Sequence, residues 1–271
     1  MSHRNHISSL SLIAMFVIFV GSVIEVQLTT IYVSIGWILV LCVIHSMKSL
    51  SRGIRDVSLW SVLYLFGYWL SVCFNFYITD WLNFVNLSRE LIIASSRLSL
   101  LGFIIPFLLY GQLNKTTTDY MKIGSFTETI QFPLIWRGLK DPIWRFILIG
   151  SCIIIISFQF VIDYSSETIY IFLRFGLLFA LLNSVLEEVL WRGLILSRFV
   201  DVLGEKWGLV VVSFGFGMYH YSIGFPWTVC VLFGVLGMLL GGIAIRSKGL
   251  LPVIILHFIM NLLFVLSGLI F

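Results

Sequence analysis

The chain is 271 residues long, 59% hydrophobic and 16% aromatic, with only 11% charged residues and a mean hydropathy of +1.05. A soluble domain averages about 25% charged residues, so the composition excludes a soluble enzyme or binding module and indicates an integral membrane protein. The formal net charge of +4 comes without any basic cluster interleaved with aromatics, which sets nucleic acid aside and leaves membrane lipids as the surroundings.

The apolar runs come close to the roughly 20 residues that cross a bilayer as helix and lack the alternation of a membrane barrel. They predict an all-α, polytopic transmembrane bundle. The first run, Ser9 to Ile24, has Arg4 before it but no small-x-small cleavage site in "FVGSVIEVQ", so it reads as a retained helix. Spans follow at Thr30 to His45, Leu59 to Ile78 and, a short one, Leu98 to Tyr110. The polar segment Gln112 to Trp144 then divides a block of about four helices, 1–111, from a second block, 112–271. That second block holds Phe146 to Ile162, Thr168 to about Leu196, Trp207 to Tyr221, Trp227 to Ile245 and Leu251 to Phe271. One run is short and the run from Thr168 is long, which gives eight or nine spans, the long one tilted, extending past the lipid or broken near Asn183.

Basic loops stay cytoplasmic. Arg4, the group Lys48, Arg52 and Arg55, the segment Lys115 to Arg145, and the pair Arg246 and Lys248 all fall on one side if the N-terminus is inside. Cys42, Cys73, Cys152 and Cys230 are scattered through apolar spans with no C-x-x-C, and they read as small buried hydrophobes. Arg97 and Arg174 are expected to reach toward a membrane interface. The G-x-x-x-G of Gly237 and Gly241, with Gly234 beside it, predicts close helix packing.

The chemistry concentrates in the second block. "NSVLEEVLWRGLILSR", Asn183 to Arg198, places Glu187, Glu188 and Arg192 inside an apolar run. An ionised side chain at the bilayer centre costs at least about 2.5 to 3.5 kcal/mol, so these groups are expected to face the bundle interior. Glu188 and Arg192 are i and i+4 and can pair, whereas Glu187 is turned about 100° away and keeps an unpaired carboxylate. Downstream, Phe216 lies one turn before His220, and His257 one turn before Asn261. A carboxylate and an imidazole move protons near neutral pH, and Asn or a neutral His can donate to a developing oxyanion. Such a set could hydrolyse an amide with water and no serine or cysteine nucleophile.

These residues resemble a known family. "EEVLWR" (Glu187, Glu188, Arg192) is similar to its EExxxR motif, "FGMYH" (Phe216, His220) to FxxxH, and "HFIMN" (His257, Asn261) to HxxxN, in that order and with similar spacing. The family is that of the CAAX proteases and bacteriocin-processing proteins, also called Abi, which are intramembrane glutamate endopeptidases. The resemblance covers roughly Gln112 to Phe271 and implies that Glu187 and His220 activate the water, His257 and Asn261 form the oxyanion site, and Glu188 with Arg192 brace it. Phe216 is expected to pack. It further implies metal-independent chemistry with no cofactor, and a membrane-bound peptide or protein as substrate.

Three other readings stay open at this point. A proton-coupled transporter could use the same glutamates and histidines as a relay. A bacteriocin-immunity or peptide-binding protein could keep the fold without turnover. Zinc hydrolysis through His220, His257 and a glutamate fits ligand chemistry, although there is no H-E-x-x-H. Heavy use of Ile, Phe and Ser fits an AT-rich genome, and the expected location is the cell membrane of a bacterium.

Overall fold

Inside a bilayer the backbone N–H and C=O groups find no water, and a chain this apolar satisfies them within helices. The computed structural model describes residues 8–270 except 117, 134, 166 and 168. In chain order it contains α1 (Ser9–Leu28), α2 (Ile31–Ser46), α3 (Arg52–Phe84), α4 (Arg89–Ser96), a 3₁₀ turn (Arg97–Leu100) and α5 (Leu101–Leu113). Two strands follow, β1 (Thr129–Pro133) and β2 (Gly138–Pro142). Then come α6 (Ile143–Phe158), α7 (Ile169–Glu188), a π segment (Val189–Leu196), α8 (Ser197–Tyr219), a second 3₁₀ turn (His220–Ile223), α9 (Trp227–Ser247) and α10 (Leu251–Leu266).

Among the described residues the regular structure is thus helical apart from one antiparallel hairpin, in which Gln131 faces Lys140. The hairpin lies inside the long polar segment between the two helical blocks. Among the described residues, five continuous helical runs are long and apolar enough to cross a membrane: Ser9–Leu28, Arg52–Phe84, Arg89–Leu113, Ile169–Ile223 and Trp227–Ser247. Three shorter apolar helices, Ile31–Ser46, Ile143–Phe158 and Leu251–Leu266, accompany them.

The long run from Ile169 does not break near Asn183. It stays helical through Asn183, loosens to π geometry directly after Glu188, and kinks at Gly204, whose φ of 74° and ψ of 167° leave the helical region. Glycine adopts that conformation without the steric cost other residues meet.

Packing divides the chain into two compact units, one made of the chain up to Trp69 with Ile195–Leu239, the other of Leu70–Leu194 with the chain from Leu240 onward. In the first, α1 packs on α8, with Phe16 edge-on to Phe214 (5.5 Å between centroids) and Phe19 against Phe199 (4.5 Å). There α8 also meets α9 so closely that a Cβ on Gly217 would fall 2.5 Å from the Cys230 carbonyl and the Gly234 nitrogen. Only glycine permits that approach, as the run of small residues predicts.

In the second unit α10 lies along α7, with α4 and α6 beside them. Ala94, Phe179 and Val265 share one buried cluster. Cys42, Cys73 and Cys152, expected to be buried, are exposed on helix surfaces, and Cys230 is buried. A lipid-facing surface is as apolar as a core, so an apolar run does not distinguish them.

Two basic loops that the charge pattern assigns to one side of the membrane are bonded to each other. Leu250 N–H donates to Lys122 O and Leu251 N–H to Ile123 O, both at 2.9 Å, and Ser125 N–H donates to Ser247 O at 2.8 Å. Single cysteines at Lys122 and Lys248, in a chain without the native four, should therefore behave alike. With the N-terminus inside, both should be shielded from an impermeant thiol reagent in intact cells and labelled in inverted vesicles. Labelling of both from outside would overturn that orientation.

Candidate active site

The inner face of α7 is written at one-turn intervals: Phe179, Asn183 and Glu187 stack one above another, with Ala180, Ser184 and Glu188 beside them, and all six are buried. Glu187 is 1% exposed, Glu188 0% and Arg192 2%. The i, i+4 pair expected from the sequence is present, with Arg192 Nη1 donating to Glu188 Oε1 at 2.8 Å. A π segment begins at the next residue, Val189, and such local loosening of a helix recurs at functional sites.

α10 runs antiparallel to α7, since Gly176 lies against Val265 while Glu188, twelve residues further on, meets His257. His257 Nδ1 is 2.6 Å from Glu188 Oε1. An ionised carboxylate only accepts, so the ring donates from Nδ1. That bond turns the other ring nitrogen, Nε2, toward Glu187, where it stands 3.8 Å from Oε2. One oxygen of Glu188 thus holds both Arg192 and His257.

Asn261 follows His257 by one turn and is also buried. Among the described residues, its Nδ2 has no hydrogen-bond partner within the protein, nor do Glu187 Oε2, Glu188 Oε2 and Asn183 Oδ1. Native proteins leave few buried polar atoms unpaired, and clusters of them occur where a protein keeps capacity for a reaction or a ligand.

Two residues join this neighbourhood without having been singled out for it. Asn183 marks no helix break; its amide sits one turn before Glu187 on the same face, and the signal was its place at the head of the polar residues in "NSVLEEVLWR". Arg97 stands where α4 passes into the first 3₁₀ turn, and its guanidinium lies 5.5 Å from the centre of the Phe179 ring. Arg174, by contrast, is exposed, beside Phe175.

His220 belongs to the other compact unit and is described within it. It stands where α8 passes into the 3₁₀ turn, buried at 5% exposure. Its Nδ1 donates to the Phe216 carbonyl at 2.8 Å, which puts the lone pair of the neutral ring on Nε2. Phe233 stacks on the ring at 3.9 Å with 14° between planes, and Phe216 meets it edge-on at 4.7 Å. Phe216 therefore does more than pack, because its carbonyl sets the tautomer of the histidine one turn later.

Residues 169–263 match the family model described as "Rce1-like: Type II CAAX prenyl endopeptidase Rce1-like". That segment is Rce1-like. No curated protein and no solved structure gives a match. The Rce1-like segment runs from the first residue of α7 into α10 and contains all seven residues of the three motifs. Within it, Glu187, Glu188, Arg192, His257 and Asn261 lie in one compact unit and Phe216 with His220 in the other. The match supports a peptidase in a membrane chain.

Proposed function

We propose that the Rce1-like domain is an intramembrane endopeptidase in which Glu187 and His220 activate a water molecule to cleave a membrane-associated peptide or protein. The observation that carries the reading is the double use of Glu188: it accepts from Arg192 at 2.8 Å and from His257 at 2.6 Å, which fixes an imidazole beside Glu187. Glu187 takes a proton from the water whose oxygen attacks the carbonyl carbon and returns it to the amine that leaves as the C–N bond breaks, and His220, its Nδ1–H held by the Phe216 carbonyl, serves as its partner through Nε2. His257, held at Nδ1 by Glu188, turns Nε2 toward the reacting carbonyl, and Asn261 Nδ2 supplies a donor to the developing oxyanion. No protein nucleophile and no metal take part. The family's description names prenylated CAAX ends, and the substrate proposed here is a peptide presented at the membrane.

Membrane peptides from cells carrying the wild-type chain and from cells carrying Glu187→Gln should differ, with an uncut precursor accumulating in the variant. Identical peptide profiles alongside an intact cellular phenotype would transfer the reading to peptide binding or immunity. Exhaustive chelation of the purified protein should leave cleavage unchanged; activity lost to chelator and restored by zinc would require a metal site instead.

A further inference from the structure

Gln27 sits at the end of α1, outside the Rce1-like segment, and none of the three motifs contains it. Its side chain crosses to the turn that carries His220. Nε2 donates to Met218 O at 3.2 Å and to Val23 O of its own helix at 2.5 Å, while Oε1 accepts from the Ser222 N–H at 2.7 Å. The two backbone groups held on the far side lie two residues before and two residues after His220.

That turn needs support. α8 ends at Tyr219, where the His220 N–H still reaches back to Gly217 O and Met218 O but the regular ladder stops. The chain then tightens to 3₁₀ geometry, which forms short and poorly bonded stretches. Within the turn, Ser222 Oγ donates to Tyr219 O at 2.8 Å and Phe225 N–H to His220 O at 3.3 Å. Gln27 is the tie from another helix that meets both flanks at once. A carboxamide suits the task because it donates and accepts from one planar group. The rest of α1 is packed to deliver it, since Phe16 and Phe19 seat the same helix on α8 and its neighbours.

We infer that Gln27 is a positioning residue that fixes the His220 turn by clamping the backbone at Met218 and Ser222, and that α1 is thereby part of the working apparatus. This rests on the reading of His220 as a proton-transfer group. A side chain acting only as helix packing would be replaceable by one of equal size; a clamp would not. Displacement of a reacting group by about 1 Å costs about 10²-fold in rate, whereas binding of a peptide elsewhere in the site is untouched.

The test compares the full-length protein in detergent with Gln27→Met, which keeps the volume and loses the bonds, and with Gln27→Glu, which keeps the acceptor for Ser222. Gln27→Met should lower kcat about 10- to 100-fold with KM within twofold and the thermal midpoint little changed, and Gln27→Glu should recover part of the loss. Hydrogen exchange of the segment around Ser222, read by mass spectrometry, should accelerate several-fold in Gln27→Met and less in Gln27→Glu. Unchanged exchange, or faster exchange with kcat intact while Glu187→Gln abolishes cleavage, overturns the proposal. If Glu187→Gln leaves cleavage intact, the proposed water-activating pair fails on its own, and if no cleavage is seen in any form, the protease reading does. The clamp is then judged by the rate at which diethyl pyrocarbonate modifies His220, resolved from the other histidines by peptide mass: a several-fold change in Gln27→Met sustains it, and an equal rate overturns it.

Discussion

Glu187→Gln should reduce peptide cleavage by the purified protein at least about 10²-fold, because it removes the group assigned to accept the proton from water. The substitution is close to isosteric. Glu187 is almost fully buried and, among the described residues, its Oε2 has no hydrogen-bond partner, so the amide replaces the carboxylate without stranding another donor. Yield and thermal midpoint should stay near those of the wild type, which separates a chemical loss from a folding loss. His220→Ala should reduce cleavage by a similar factor but with some cost in stability, since it removes the donor to the Phe216 carbonyl and the ring that stacks on Phe233. His220→Gln, which refills part of that space, should be as inactive and better folded. Undiminished cleavage by Glu187→Gln or by a folded His220 variant would remove the proposed water-activating pair.

Arg192→Ala is expected to have the largest effect on stability. Glu188 and Arg192 are buried at 0% and 2% side-chain exposure, and breaking one partner of a well-buried pair costs about 3–5 kcal/mol because the remaining charge has lost its counterion. His257 still donates to Glu188, so the carboxylate keeps one bond, but the ring is then drawn into service as a counterion and loses its fixed relation to Glu187. Activity should fall with the thermal midpoint. Adding Glu188→Gln to Arg192→Met should be less damaging to stability than Arg192→Ala alone, because removing both charges leaves none stranded. Thermal denaturation in detergent measures all three forms, and an Arg192→Ala protein as stable as the wild type would place the pair in contact with water.

What could be read in the sequence follows the range of the interaction. The Glu188–Arg192 pair was legible because four residues of helix connect its partners. The Glu188–His257 bond was not, since its partners are 69 positions apart and nothing in "LPVIILHFIMN" says which carboxylate the ring will meet. Helical character was legible in the long apolar runs, but the π segment was not, as Val189 to Leu196 is as apolar as the α-helix before it. Asn183 was taken for a possible break because a polar residue in an apolar run looks like an interruption; packed on the face of Glu187, it is a continuation. The hairpin was hidden in a segment legible only as polar. Gln27 carried no signal, because its partners are backbone groups and any sequence offers those.

The bond between His257 and Glu188 also sets an order of events during synthesis. A ribosome adding about 5 to 20 residues per second needs about 3 to 14 s to cover the 69 positions that separate the two. Through that interval the glutamates of α7 already exist and the last helix does not. Arg192, only four residues behind Glu188, is the counterion that arrives with them, and it allows a doubly acidic helix to wait in or beside the membrane until the ring that completes the site has been made.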